Sequence, residues 1–484
     1  MDILHLIRSW RNRLAPINQI PPEIFALLPD FLDTDERNLD IIALTQVCRA
    51  WRKVFISRSS LWIDLDCLDE DKTRVYLERS KSSPINLVLV RNGGLPARDP
   101  FFQIIPHAIG RLKTMYAKGT PEHLQDITAQ LSQPAPLLET LAIHGGCESE
   151  PHRSPVLPST LFGGDLSSLR KLCLISVRTE LPWRNMVNLT SFILSDMPPG
   201  EVSAGQVLGF FEAAPHLREA ELHSTTLTAD DQNERLVSPT CLERMELIDC
   251  DSSSLLLNHL LIPVGAELTI QAESLGSLIE DHLPGHLDNL RNLSNFTTIQ
   301  LRLDKWSPRI RFSGPNGQVS MIAAAYGIDL TCLVLESLAR FDTSKAERLK
   351  IKYGDPPSSD PPYRAFLPMK DLRTLTLSRC VKPDTFISAL CPSMSSSEAV
   401  VCPKLEELTL VLRADGERFD LKHVIGVAAA RASKGAKLKS VRIVDQVEFV
   451  EADVLELKKH VLRVECGPEV DGTDDSSDGS DEED

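Results

Sequence analysis

Five stretches of the chain carry one pattern: Leu138-Glu-Thr-Leu141-Ala-Ile143, Leu169-Arg-Lys-Leu172-Cys-Leu174, Leu189-Thr-Ser-Phe192-Ile-Leu194, Leu217-Arg-Glu-Ala220-Glu-Leu222 and Leu242-Glu-Arg-Met245-Glu-Leu247. Each is an apolar-x-x-apolar-x-apolar unit, and its second half alternates with the period of a strand that has one buried side. The unit appears earlier as Leu112/Met115/Ala117. It returns as Phe296/Ile299/Leu301, Ala346/Leu349/Ile351, Leu372/Leu375/Leu377, Leu405/Leu408/Leu410 and Leu438/Val441/Ile443, with Leu268/Ile270 a shortened copy. Leading anchors mostly stand 20 to 33 residues apart. One short strand cannot bury its apolar side alone, but stacked copies can, as a parallel sheet backed by helices or loops. The stretch 202–214, ahead of Leu217, reads as one such helix. The plainer alternative is an α/β sheet whose strands happen to be leucine-rich; the number of copies favours the repeat.

One interval, Leu301 to Ala346, is too long for a single unit. It contains Arg309-Ile310-Arg311-Phe312, the turn Ser313-Gly-Pro-Asn-Gly317 and Gln318-Val319-Ser320-Met321. Alternation on both sides of Asn-Gly predicts a hairpin, so an antiparallel excursion interrupts the series.

The 484 residues have an ordinary globular composition, 42% hydrophobic and 25% charged. The net charge of −16 is concentrated in one place. Glu469 to Asp484 holds nine acidic residues and no Lys or Arg, so the remainder carries only −7. Such a balance argues against a broad nucleic-acid surface, which needs a basic face. The tail cannot bury enough apolar surface to fold alone. Its Ser480-Asp-Glu-Glu483 resembles an acidophilic kinase site. The eleven cysteines contain no C-x-x-C pair and read as scattered reduced thiols. No apolar run reaches the length of a membrane span, and the N-terminus does not read as a signal peptide. The expected compartment is the cytoplasm, the nucleus or both.

Catalytic chemistry finds no foothold. The chain has no G-x-x-x-x-G-K-S/T, no G-x-G-x-x-G and no G-x-S-x-G. His282 and His286 lie four apart beside Glu280 and Asp281, but Pro284 and Gly285 between them spoil a helical metal-ligating face. Asp64-Leu65-Asp66 reads as charge on a strand end. No catalytic residue, metal ligand or cofactor is expected, and the chain reads as a binding protein.

The first 80 residues read as helical and carry a second signature. Ile20-Pro-Pro22-Glu23-Ile24 is followed by Leu28, Phe31 and Leu32, then by Val47-Cys48-Arg-Ala-Trp51-Arg52, and closes on Leu61-Trp62. These residues, within Ile17 to Trp62, resemble an F-box. The resemblance implies a small helical module that docks on a Skp-type adaptor, itself bridged to a cullin in an SCF-type ubiquitin ligase. It places adaptor contacts on Pro22, Ile24, Leu28, Val47, Cys48, Trp51, Leu61 and Trp62. Independently, so short a segment has too little core to bury Trp51, Trp62, Phe25, Leu28 and Val47. Packing of several of these against the rest of the chain is the alternative, and it stays open for Val47 and Trp51. Pro29 and the connector Asp33 to Asn38 depart from the family pattern. The downstream units look like the leucine-rich repeats found after many F-boxes. With the helix ending at Ser80 and the strand from Ile85, the order is similar to large fungal F-box families.

The expected architecture is therefore α/β. An extension spans 1–16, the F-box 17–62, a linker helix and first strand 63–111, and an irregular leucine-rich-repeat solenoid with one hairpin insertion 112–445. A cap at 446–466 and a disordered acidic tail at 467–484 follow. Residues between the buried anchors line the opposite face of the sheet. Glu219, Glu221, Glu246 and Glu267 make a middle section of that face acidic, and Arg348, Lys350 and Lys352 make a later section basic. These are the candidate substrate-binding residues, with ordinary solvated strand charge as the alternative. The expected function is a substrate receptor that positions an unidentified protein target, with neither nucleic acid nor membrane as partner. A repeat scaffold without a ligase role is the main rival. An acidic nuclear interaction protein that acts through its tail is a third reading.

Overall fold

The computed structural model describes residues 3–25, 27–31, 37–66, 69–90, 106–146, 154–158, 160–179, 185–229, 235–272, 279–303, 308–323, 334–335, 337–354, 363–391, 400–412, 419–444 and 450–467. Most of the expected connector 33–38, half of the stretch 145–160, most of the stretch 353–363, the segment 392–399 and the tail from 468 lie outside these. The chain divides into two compact units, 1–220 and 221–484, a cut that falls inside the expected repeat region.

The first unit opens with helix α1 (Ile3–Leu14), a one-turn helix at Pro22–Phe25, and helices α2 (Arg37–Val47) and α3 (Arg49–Ser57). Trp51 and Phe55, four apart on α3, share its buried side. Strand β1 (Asp64–Asp66), helix α4 (Glu70–Ser80) and strand β2 (Ile85–Val90) follow. Asp69 caps α4 by accepting the Lys72 amide at 3.0 Å. Beyond β2 lie β3 (Leu112–Gly119), helix α5 (Pro121–Gln130), β4 (Thr140–Gly145), β5 (Lys171–Ile175) and β6 (Ser191–Ser195). Each strand pairs in parallel with the next, from β1 to β6. The sheet thus begins at Asp64, ahead of the first expected repeat anchor.

Register explains how this sheet builds its core. Leu141, Leu172 and Phe192 lie side by side on successive strands, as do Ile143, Leu174 and Leu194. Helix α6 (Ala204–Ala213), within the stretch expected to be helical, packs against Phe192 of this core. Ser203 and Gln206 close a capping box at its start. Phe210 then stacks on Phe192 with centroids 4.9 Å apart, and Phe211 meets the same ring edge-on at 5.6 Å. Strand β7 (Glu219–His223) straddles the division between the units.

The second unit contains β8 (Arg244–Ile248), β9 (Glu267–Ala272), β10 (Thr298–Arg302), β11 (Arg309–Gly314), β12 (Gly317–Ala323), β13 (Arg348–Lys352), β14 (Thr374–Ser378), β15 (Glu407–Val411), helix α7 (Lys422–Ser433), β16 (Ser440–Val444), helix α8 (Glu451–His460) and β17 (Arg463–Gly467). The shortened copy at Leu268/Ile270 is a full strand, β9, with both anchors buried. The expected hairpin is present as β11 and β12. It does not hang off the sheet: β12 pairs in parallel with β9, and β11 pairs antiparallel with β10. The hairpin is therefore inserted between two strands of the series, and β11 runs antiparallel to both of its neighbours. From β10 the parallel order continues through β13, β14, β15, β16 and β17.

Both units are thus mixed α/β, each built on an open, mostly parallel sheet. No pairing among the described strands closes either into a barrel. Every anchor of the eleven full units is buried. A second regularity is in the backbone. Ser176, Asp196, Ser224, Asp249, Tyr353 and Arg379 each directly follow a strand, and each has φ between 45° and 60°. Most of them hydrogen-bond onward, as Asp249 N–H does to the Gln271 carbonyl and Arg379 N–H to that of Val411, both at 2.7 Å. This left-handed residue turns the chain off the strand while keeping its amide in the ladder.

Helix α7 is fastened by a buried cation. Arg431 is fully buried and donates from Nη1 to the Val401 carbonyl at 2.7 Å and from Nη2 to the Cys402 carbonyl at 2.8 Å. Its burial lowers the guanidinium pKa from the ordinary value. Among the described residues no helix is long and apolar enough to cross a membrane.

Candidate functional site

Two surfaces stand out, one in each unit. The first lies on the N-terminal helices. The structure separates the expected adaptor-contact residues into two groups. Trp51, Leu61 and Trp62 are buried within the unit. The Trp62 indole donates to the Phe55 carbonyl at 3.0 Å, and its ring meets Tyr76 edge-on at 4.9 Å with the Arg79 guanidinium 4.4 Å above it. Burial, then Asp66, pushes the Tyr76 phenol up to about 12, so it stays protonated. The Trp51 indole donates to Asn18 Oδ1 and its ring packs against Phe55. These side chains hold the helices together and fasten them to α4. The expectation that the segment could not bury its aromatics left out α4, which brings Tyr76 and Arg79 onto Trp62.

The second group faces outward. Ile24 is 57% exposed and Val47 is 55% exposed, while Leu28 and Cys48 are half-buried. Leu27 and Phe31 join them, Phe31 being 84% exposed. Pro22 begins its helical turn, and its side chain lies outside the described set. Ile24, Leu27, Phe31 and Val47 thus leave large apolar side chains open to solvent in this segment.

The second surface is the outward face of the second unit's sheet. Glu246, Lys350 and Lys352 are half-buried there, with Arg348 and Glu267 exposed; Glu219 and Glu221 alternate in the same way along β7. Glu221 Oε2 lies 3.7 Å from His223 Nε2, and Glu246 brings a second carboxylate into the group, all ligand atoms falling within 4.8 Å of one another. Glu267 sits apart from them, opposite Arg244.

The basic section is larger than its sequence signature. In register, Arg311, Gln300 and Lys350 form one row across β11, β10 and β13, and Arg309, Arg302 and Lys352 form the next. These six, with Leu301, line one pocket. Arg302 also lies over the Tyr353 ring at 5.6 Å. Lys350 and Lys352 border a second hollow, which continues over Thr376, Ser378, Arg379, Thr409 and Arg442. Arg348 lies one row away, between Thr298 and Thr374, and does not line the pocket. The alternation Arg309-Ile-Arg311-Phe already places both arginines outward. What sequence spacing does not supply is that the hairpin inserts ahead of β10, which sets them beside Lys350 and Lys352.

The considered metal pair is not formed. His282 is buried, its Nδ1 3.1 Å from the Ser253 hydroxyl, whereas His286 is exposed. No known family model matches this chain, and no curated protein matches it either.

Proposed function

We propose that the chain is a non-catalytic substrate-recruiting receptor of an SCF-type ubiquitin ligase. Its F-box, residues 17–62, would hold a Skp-type adaptor bridged to a cullin, and an irregular leucine-rich-repeat solenoid would hold the target protein. Ubiquitin transfer is then a matter of proximity, carried out by other subunits. The observation that carries the reading is the exposed apolar group Ile24, Leu27, Phe31 and Val47, at positions belonging to or adjoining the F-box motif. Aromatic and aliphatic anchors of this kind dominate protein interfaces. The repeat reading is supported by the buried anchors and by the left-handed residue recurring after successive strands.

A second reading is a leucine-rich-repeat scaffold without a ligase role. It is favoured by Trp51, Leu61 and Trp62, which the chain buries by itself. Co-purification separates the two. Full-length chain captures a Skp-type adaptor, and Phe31→Asp with Val47→Asp abolishes capture without lowering thermal stability. Wild-type chain that captures no adaptor, where a standard F-box protein does, removes the receptor reading.

A further inference from the structure

We propose that a hollow on the first unit, between the outward side of α3 and the end of α4, binds a small anion carrying two or more phosphoryl groups. The inference concerns the N-terminal helices and stands independently of the receptor reading.

The hollow measures about 540 Å³, within the range of roughly 300–1,000 Å³ usual for small-ligand sites. Arg49, Arg52 and Lys53 line it from α3, where they recur three and four apart while Trp51 and Phe55 turn to the buried side. Arg79 and Lys81 line it from the end of α4. Against these five cations the described lining holds one carboxylate, Glu78, a formal balance of +4. Among the described residues none of the five is ion-paired, with Glu78 or with any other acid. Like charges around one hollow repel. Helix α3 adds to that cost, because its first turn holds no acid and three of its first five residues are cations at the end where a helix is already positive.

Three features hold these groups in place without a ligand. Arg52 Nε donates to the Thr45 carbonyl at 3.0 Å, which fixes the guanidinium and leaves its two Nη groups for an anion. The Arg79 guanidinium lies over the Trp62 ring at 4.4 Å. Forks ordered in this way cost less to bring onto a ligand. Lys81 has φ 54° and ψ −117°, a backbone region that suits glycine, and the Arg111 guanidinium donates to its carbonyl. A glycine would make this turn without strain. What the lysine adds at that cost is an ammonium at the hollow, and strain retained at a site is a mark of function.

The lining chemistry selects the ligand class. Guanidinium and ammonium groups only donate hydrogen bonds, so apart from Glu78 and the Ser57 hydroxyl the described side chains offer no acceptor. A peptide brings N–H donors that need acceptors; a phosphoryl group brings oxygens alone, which the guanidinium fork takes in pairs. One phosphomonoester carries about −1.5 to −2, so two are needed to offset +4. The positive charge on α3 stops at Lys53, the next outward positions being Ile56 and Ser57. A nucleic acid needs a longer basic track.

The test is titration calorimetry on full-length protein with pyrophosphate as the probe, and with citrate and inorganic phosphate for comparison. Pyrophosphate binds with a Kd at least about tenfold below that of either. Arg49→Gln with Lys53→Gln abolishes this binding without lowering the melting midpoint of the free protein. Lys81→Gly raises that midpoint and weakens pyrophosphate at least about threefold, a split that a purely structural lysine would not produce. Arg74→Gln, on α4 but outside the hollow and paired with Asp71, binds as the wild type does. Vesicles carrying a bisphosphorylated inositol lipid separate two sources of the same chemistry. Capture that pyrophosphate reverses assigns a lipid headgroup, and calorimetric binding without capture assigns a free ligand. No binding of pyrophosphate overturns the proposal. So does citrate binding equally well, an affinity unchanged in the Arg49 and Lys53 double variant, or displacement of pyrophosphate by a lower concentration of single-stranded oligonucleotide.

Discussion

At the scale of single residues, burial sets both chemistry and pH response. Cys250, Cys380 and Cys402 are buried, and desolvation pushes each thiol up to about 12. Cys241, Cys391 and Cys466 are exposed, although desolvation raises the Cys466 thiol as well. Thiolate is the reacting species, so iodoacetamide at mild alkaline pH labels Cys241 and Cys391 first and reaches the buried three only after denaturant. Peptide mapping of the alkylated chain checks this; early labelling at Cys380 would contradict it. His144 shows the pH side. Burial, followed by Lys118 directly opposite on the next strand, holds its imidazole below the usual range, while Asp196 acts the other way. The folded state therefore binds the proton more weakly than the unfolded chain. Stability is fully present above the unfolded histidine pKa, near ~6.5, and is lost as pH falls from there through the depressed folded value. Urea midpoints measured between pH 7 and 5 should fall for the wild type, and His144→Gln should flatten that slope.

At the scale of elements, the hairpin of β11 and β12 is the feature on which the basic pocket depends. Two glycines make it possible. A Cβ at Gly314 would lie 2.8 Å from both the Asn295 carbonyl oxygen and the Phe296 Cα. Gly317 has φ 122°, and a Cβ there would meet the Ala266 carbonyl oxygen at 2.9 Å. The turn between them is tied down from the side, since Asn316 Nδ2 donates to the Ser294 carbonyl at 2.8 Å. Gly317→Ala should therefore destabilise the second unit by roughly 1–3 kcal/mol, a cost of forcing an L residue into that backbone region. It should leave adaptor capture unchanged. Thermal unfolding followed by circular dichroism measures the first effect, and an unaltered midpoint would show that the turn tolerates a side chain. The hairpin itself was legible from alternation on both sides of Ser313 to Gly317. Its insertion between β9 and β10 was not, because alternation specifies faces and says nothing about which neighbour a strand joins.

At the scale of the whole molecule, the apolar pattern determined the most. Three apolar residues at fixed spacing demand a strand with one buried side, and the eleven full units all place their anchors in the core. The alternating outward positions were readable for the same reason, which is why Glu246, Lys350 and Lys352 could be singled out without a structure. The −16 charge likewise resolves by sequence alone into nine acids beyond residue 468 and a milder remainder. Tertiary structure decided two things that spacing leaves open. One is which motif residues remain available to a partner: Tyr76 and Arg79, from a later helix, bury Trp62, while Phe31 and Val47 stay uncovered. The other is the company of Lys350 and Lys352, because Arg302, Arg309 and Arg311 reach them only through the strand order. Local periodicity fixes the direction of a side chain, since the backbone alone sets it. Burial and charge clustering arise from contacts between distant segments, and those exist only once the chain has folded.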